Sequence, residues 1–385
     1  MQRSEKLVLW ITGGSHFSVH AFMIILPSIM LVLRNEFGTG LDTLGLVAML
    51  GSFMFGLGAI PTGWLETRLG SRNLLLIYYG GSILASIWII FSTTMYGFAA
   101  GLMILGLSAS IYHPAGLTLI SKSVRNLSGG MAFHGIAGSL GLAAGPLIAS
   151  FVTDIFGWRG AYLVMAGFNA GLAILTLIVV DRNVRNHHIH RESSPKNTNR
   201  RALILYYSVA VLMGFSYAGF TTFLPTHFAQ QTTGWLSGIS DTLRGGTLMT
   251  LVLTAGILGQ ISGGYLGNRY PRRKLVFWIV ALNIPLLLAL GFTTGLILLS
   301  AGLILGVVHF NFQPVGNSLI ADLTHDTHRG LGYGVSFFLN FGVGALAAGI
   351  SGVIAESFGV SWVFPAMAVI LIPGLLLAHG LDKAA

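Results

Sequence analysis

The sequence predicts an all-α membrane protein that crosses the bilayer many times. Of its 385 residues, 54% are hydrophobic and only 9% are charged, whereas about 25% of the residues of a soluble domain are charged. The hydrophobic residues form long runs near the roughly 20 residues of a bilayer-crossing helix, not the alternating segments of about ten residues seen in membrane β-barrels. This composition excludes an ordinary soluble enzyme. The absence of Cys also excludes disulfides and thiolate metal sites.

Twelve apolar runs predict twelve transmembrane helices. They lie at residues 7–34, 41–65, 73–93, 96–121, 128–153, 159–180, 203–229, 244–266, 274–294, 296–321, 331–354 and 361–380. A polar, basic segment separates the sixth run from the seventh. We therefore predict an N-terminal six-helix bundle at 1–180, a linker at 181–202 and a C-terminal six-helix bundle at 203–385.

The basic residues predict the orientation of the chain. All but three of the 21 Lys and Arg residues fall on the side of the two termini, and the exceptions are Arg34, Arg159 and Arg244. The positive-inside rule then places both termini in the cytoplasm. The net charge of +9 follows from this topology, so nucleic acid is not an expected partner, and the basic face is expected to contact membrane lipid. No cleaved signal peptide is evident, and we expect a monomer in a bacterial inner membrane.

The two halves of the chain repeat each other. The segment 63–72 aligns with 264–273, and Pro114 and Gly116 align with Pro314 and Gly316. These matches keep their order along the chain at nearly constant spacing, which is typical of transporters built from a duplicated bundle.

The two aligned basic segments resemble the loop signature of the major facilitator superfamily. The matching residues are Gly63, Arg68, Gly70 and Arg72 in the first copy and Gly264, Arg269 and Arg273 in the second, where Asn268 stands in place of the family's Asp. The resemblance implies two pseudo-symmetric six-helix bundles, the major facilitator fold, with these residues in gating. In the second half we expect Arg269 to pair with Asp322. The counterpart of Asp322 is Lys122, so Arg68 has no matching acid. We therefore expect an unequal latch, meaning that the ion pair holding the cytoplasmic gate is stronger in the C-terminal half than in the N-terminal half.

Two further segments are similar to efflux proteins of that family. Residues 138–146 resemble a Gly-x3-Gly-Pro motif of efflux antiporters, and the surroundings of His16, His20 and the run Tyr112-His113-Pro114 resemble the fosmidomycin-resistance-like branch. The resemblance implies a secondary transporter that works by alternating access.

Histidines are the expected ionisable groups inside the membrane. Every Asp and Glu falls in a loop or at a helix end. His16 and His20 are one helical turn apart and share a face, while His113 and His134 belong to neighbouring predicted helices. Imidazole titrates near pH 6.5, so we predict a proton site here. The alternative is that each ring is a neutral, hydrogen-bonded structural group.

Other polar residues at helix centres are candidates for substrate binding. Gln313 and Asn340 suit binding and interhelical hydrogen bonds equally well. The full set of predicted binding or proton residues is His16, His20, Tyr112, His113, His134, Tyr217, His309, Asn311, Gln313 and Asn340.

The predicted function is proton-coupled export of a small organic solute. The sequence has no phosphate-binding loop of an ATP-driven pump and no motif of a hydrolytic enzyme, and we predict neither a cofactor nor a resident metal. Two alternatives stay open. The imidazoles suit transport of zinc, copper or nickel, free or chelated, and the lack of intramembrane carboxylates also fits a membrane sensor that transports nothing.

Overall fold

The computed structural model describes residues 3–180, 198–325 and 329–383, and the regular elements in these ranges are helices. Most of the predicted linker, 181–197, lies outside them. The helices are α1 (Arg3–Met23), α2 (Ile25–Ser28), α3 (Met30–Phe37), α4 (Leu41–Phe91), α5 (Met95–Ser110), α6 (Tyr112–Ser123), α7 (Leu127–Phe156), α8 (Trp158–Val179), α9 (Arg200–Gln231), α10 (Asp241–Arg269), α11 (Arg272–Phe292), α12 (Gly295–Phe310), α13 (Phe312–Leu323), α14 (Arg329–Phe337), a π-helical segment (Phe338–Val343), α15 (Leu346–Phe358), a 3-10 turn (Val360–Trp362) and α16 (Val363–Lys383).

Ten helices in the described ranges are long and apolar enough to cross a membrane. One of them, α4, has 51 residues, a length of about 76 Å at 1.5 Å per residue, more than twice the thickness of the hydrocarbon layer. Its backbone turns at Gly70, where φ is +75° and ψ is 155°, a conformation that glycine adopts readily. Gly70 thus divides α4 into two arms, each long enough to cross a membrane. With these arms counted separately and the broken helix α1–α3 added, the described ranges hold twelve helical segments.

Prolines break the helices at equivalent places in the two halves. Helix α5 ends at Ser110 and α12 ends at Phe310, in each case shortly before the repeated proline, Pro114 or Pro314. Proline has no N–H group and its ring displaces the carbonyl one turn earlier, so the helix is interrupted there. The repeat seen in the sequence therefore marks a repeated structural break.

The two halves of the chain meet along two seams. In the first, α4 packs against α15 and the π-helical segment, and in the second, α7 packs against α10. The backbones touch where glycines face each other: any side chain at Gly45 would collide with Gly352, and any side chain at Gly56 would collide with Gly342. Small residues permit this approach between helices.

The two ends of the bundle differ in their charged groups. At one end Arg34 and Glu356 form an ion pair of 3.3 Å between the halves, and we call it the Glu356 end. At the other, the basic end, lie Arg68, Lys122 and Arg272.

A cavity of about 80 Å³ lies between the halves at mid-depth, where one water needs about 10–15 Å³. Its walls come from α1–α2, α4, α5, α7, α9 and the α14–α15 region. The lining residues among the described ones are uncharged. The polar ones are Ser52, Tyr217, Thr221, Thr222 and Asn340.

Candidate functional site

Four imidazoles, His16, His20, His113 and His134, lie together beside this cavity, and we call them the histidine cluster. The ring of His16 stacks on that of His134 with centroids 3.9 Å apart. The ring centroids of His20 and His113 lie 4.8 and 4.9 Å from the ring centroid of His16. His16 and His134 are buried, and the other two are half-buried. Residues from α1, α6 and α7, distant in sequence, thus meet at one point.

Hydrogen bonds assign the tautomers of the pair on α1. The carbonyl of His134 can only accept, so the Nδ1–H of His16 donates to it at 2.7 Å. Nε2 of a neutral His16 then carries a lone pair. It accepts a hydrogen bond from Nε2 of His20 at 3.1 Å.

Tyr112 positions the ring of His134. Its hydroxyl donates to the carbonyl of Thr12 at 2.5 Å, which uses its single proton. Nδ1 of His134 therefore donates to the Tyr112 oxygen at 3.1 Å. The buried Nε2 of His113, in contrast, has no hydrogen-bond partner among the described residues, which is uncommon for a buried polar atom.

The glycine-rich segment of α7 packs directly on this site. A side chain at Gly138 would collide with the ring of His16, and one at Gly141 would collide with the backbone of Phe17. The segment that resembles the efflux motif thus holds α7 close enough to α1 for His16 and His134 to stack.

Aromatic side chains separate the cluster from the cavity. The ring of His113 contacts Phe55 and Phe337 at centroid distances of 5.9 and 5.2 Å, and Phe55 contacts Phe341 at 6.1 Å. Phe55 and Phe341 also line the cavity. One layer of rings therefore lies between the imidazoles and the space that a solute would occupy.

The predicted polar residues of the second half divide into two groups. Tyr217 and Asn340 line the cavity. His309 stacks on Tyr217 with centroids 5.8 Å apart and donates from Nδ1 to the Asn283 oxygen at 2.9 Å. Asn283 is not among the residues predicted from the sequence, although an Asn in an apolar run is itself a signal of a buried partner.

Asn311 and Gln313 do not line the cavity. The Asn311 oxygen accepts from Ser262 on α10 at 3.2 Å, an interhelical hydrogen bond. Gln313 is exposed.

The expected ion pair between Arg269 and Asp322 is wrong. Arg269 lies in the last turn of α10 and donates to the hydroxyl of Tyr265 one turn earlier, at 2.8 Å. It is Arg272, at the start of α11, that pairs with Asp322. The turn at Pro271 lies between them, so the two arginines point to different neighbours.

The expected unequal latch is also wrong. In the first half Lys122 pairs with Glu66 at 2.9 Å, so each half has an ion pair at the basic end. Arg68 lies over the ring of Trp64 at 3.9 Å, and Arg72 donates to the carbonyl of Leu177 at 3.3 Å.

The remaining predicted gating residues are Gly63, Asn268 and Arg273. Gly63 has open space around it, Asn268 is exposed and Arg273 is half-buried.

Another ion pair at the Glu356 end lies within the first half. Arg159 donates to Glu36 at 2.9 Å and to the carbonyl of Ile90 at 2.9 Å. The hydrogen bond from Arg159 lowers the pKa of the Glu36 carboxyl, because it stabilises the charged form.

Two helical halves around a central cavity, with a polar cluster at mid-depth, define the architecture of a secondary membrane transporter. The model of the Major Facilitator Superfamily matches residues 11–310 and 237–383. The chain belongs to this family. It is an integral membrane transporter and not an enzyme.

Relatives and solved structures agree with this family. The chain is 21% identical over 354 residues to the nitrite extrusion protein of Bacillus subtilis, covering 90% of this chain and 82% of the relative. It is 26% identical over 294 residues to the fosmidomycin resistance protein of Escherichia coli, covering 71% and 68%.

The fold matches a bacterial homologue of the human lysosomal transporter Spinster, inward-facing and occupied. The TM-score is 0.83, with 11% identity and coverage of 100% and 98%. A mutant of the nucleoside transporter NupG matches with a TM-score of 0.76, 14% identity and coverage of 98% and 100%. The all-helical transporter fold predicted from the sequence is confirmed.

Proposed function

We propose that the protein exports a small organic solute across a bacterial inner membrane by alternating access, in exchange for protons. The observation that carries this proposal is the one-sided contact between the halves. From the Glu356 end the seam of α4 with α15 and the π-helical segment continues past Gly45 and Gly352 to Gly56 and Gly342 at cavity depth. A protein whose halves are in close contact at one end and in looser contact at the other can alternate between inward-facing and outward-facing states by rocking of the two halves.

Polar contacts support the same asymmetry. Glu356 joins the halves twice, through Arg34 and through the backbone N–H of Leu41 at 2.7 Å. The ion pairs at the basic end, Lys122 with Glu66 and Arg272 with Asp322, each stay within one half. The likeness to an inward-facing transporter is consistent with a basic end open to the cytoplasm. The positive charge there favours the same orientation, with both termini cytoplasmic.

The direction of transport is inferred from the relatives. Proteins named for nitrite extrusion, fosmidomycin resistance and multidrug resistance are all similar to this chain. These names support export. The uncharged cavity lining favours an organic solute over a small anion, since no fixed cation in the lining would balance a negative charge.

The histidine cluster is the proposed coupling centre. It lies at cavity depth. The buried acids of the described ranges, Glu5 and Glu66, lie instead toward the basic end, where they form ion pairs with Arg125 and Lys122. Polar ionisable groups inside a membrane protein usually mark an ion or substrate path.

Everted membrane vesicles that contain the protein test the proposal. Respiration acidifies their interior, and a pH-sensitive acridine dye reports the gradient. We expect ethidium, an organic solute without negative charge, to dissipate part of the gradient only when the protein is present. Replacing all four cluster histidines with Gln is expected to abolish this response.

A matched control is His227→Gln. This buried imidazole binds the Leu290 carbonyl at 2.8 Å, far from the cluster, and its loss should leave the response intact. If nitrite dissipated the gradient and the organic solute did not, the proposal of an organic substrate would be wrong. If the fourfold His variant gave a full response, the histidine cluster would not be the coupling centre.

A further inference from the structure

We infer that His16, His20 and His113 form a binding site for a divalent transition-metal ion, with Zn²⁺ the best fit. This inference goes beyond the proposed function, because an ion would bind there whether or not the protein exports a solute. The ligating nitrogens of the three rings all lie within 4.8 Å of one another.

The distances are close to those of a tetrahedral zinc site. Zinc–nitrogen bonds are about 2.0–2.1 Å long, which places two nitrogens of a tetrahedral site roughly 3.3 Å apart. Nε2 of His16 and Nε2 of His20 are already 3.1 Å apart. The third nitrogen needs a displacement of at most about 1.5 Å, which a small rotation of the His113 side chain supplies.

The surroundings of His16 are those of a metal ligand. A metal-binding imidazole usually donates its other N–H to a carbonyl or carboxylate, which fixes the ring and the tautomer. His16 makes this bond through Nδ1 to the His134 carbonyl at 2.7 Å. Its Nε2 is therefore left with the lone pair that a metal needs.

The unpartnered nitrogen of His113 is a second, independent observation. Its Nε2 is buried and has no hydrogen-bond partner in the described part of the chain. A metal bond would satisfy this atom, and the ring that carries it lies 4.9 Å from the ring of His16 and 5.7 Å from the ring of His20, centroid to centroid.

Proton balance at the pair on α1 needs one tautomer change. Nε2 of His20 is the donor in its hydrogen bond to His16, so its proton has to move to Nδ1 when the metal binds. Each ring stays neutral and no net proton is released. Three neutral imidazoles without a carboxylate suit zinc, nickel or copper, and suit calcium or magnesium poorly.

The test is calorimetric titration of the purified full-length protein, carrying no polyhistidine tag, with ZnCl₂. Co²⁺ is a spectroscopic substitute, because tetrahedral coordination gives it intense visible absorption. We expect one ion per chain. The variants His16→Gln, His20→Gln and His113→Gln should each weaken binding by roughly tenfold or more, at least the loss that removal of an outer-shell partner causes.

Two control variants separate metal ligation from general damage. His134→Gln should retain binding, because residue 134 contributes its backbone carbonyl to His16. His227→Gln should also retain it, because His227 has an unpaired ring nitrogen but no second imidazole beside it in the described ranges. Thermal unfolding of each variant checks that it is folded.

The linker supplies the competing explanation. His187, His188 and His190 lie outside the described residues and are close together in sequence. A triple Gln variant of these three should bind Zn²⁺ as before. Loss of binding in that variant, unchanged binding in the three cluster variants, or no binding at micromolar Zn²⁺ would each overturn the inference. The proposed function is measured separately in the vesicle assay.

Discussion

Replacing Glu356 with Gln is expected to loosen the contact between the two halves at the Glu356 end. The carboxylate accepts from the Leu41 N–H at 2.7 Å and pairs with Arg34 at 3.3 Å. Glutamine keeps an oxygen that can accept from Leu41 but loses the charge. The substitution therefore removes the electrostatic part of both interactions and little volume.

The expected magnitude follows from the exposure of the pair. The side chains of Arg34 and Glu356 are 40% and 36% exposed, and an ion pair at that exposure contributes at most about 1 kcal/mol. A hydrogen bond to a charged acceptor contributes roughly 1 kcal/mol more than one to a neutral acceptor. Together the loss is about 1–2 kcal/mol, which raises the population open at this end roughly 5- to 30-fold.

Cysteine labelling measures that population directly, because the natural chain has no Cys. We would place a single Cys at Met49, which faces Gly349 across the seam, and follow its reaction with a membrane-impermeant maleimide. The rate should rise in proportion to the open population.

Glu36→Gln is the matched control, since Glu36 pairs with Arg159 at the same end but within one half. Equal rates in the two variants, or a slower rate in Glu356→Gln, would refute the reasoning.

Three further predictions test other contacts. Gly56→Leu should abolish transport while the protein still reaches the membrane, because its side chain would collide with the Gly342 backbone; transport at the normal rate would contradict the close seam. Asn283→Leu should lower the free energy of unfolding by about 1–3 kcal/mol, because it leaves the buried His309 Nδ1 without its acceptor; denaturant titration of the detergent-solubilised protein measures this. The pKa of Glu36 is lowered in the folded protein, so its contribution to stability is present above the unfolded pKa near 4.3 and is lost as pH falls through the folded value. As the pH is lowered, the melting temperature of Glu36→Gln should therefore fall less steeply than that of the natural protein. Identical profiles of the two proteins would argue against the ion pair.

Features that local spacing decides can be predicted from the sequence. Apolar runs of bilayer length predict crossings, and the spacing of His16 and His20 alone requires that they share a helix face. The breaks before Pro114 and Pro314 have an equally local cause, because each proline removes a hydrogen bond of its own helix. Each of these follows from the geometry of a single helix.

Contacts between helices cannot be predicted in this way when two nearby side chains could reach the same partner. Arg269 and Arg272 are three residues apart, and which of them reaches Asp322 depends on the turn at Pro271. The pairing of Asn283 with His309 depends on how α11 packs against α12. The π-helical segment Phe338–Val343 has no recognised sequence signature, because such turns form when tertiary packing favours one extra residue in the turn.

The contact between Gly56 and Gly342 is a pivot about which one half of the molecule can rotate against the other. This is a backbone contact of the halves at cavity depth, so a rotation about it moves the two ends in opposite directions. Gly45 is 11 residues from Gly56 along α4, a lever arm of roughly 16 Å. A rotation of about 10° would displace that point by about 3 Å. This is comparable with the length of the hydrogen bonds at Glu356, so a modest tilt would open one end while it closes the other.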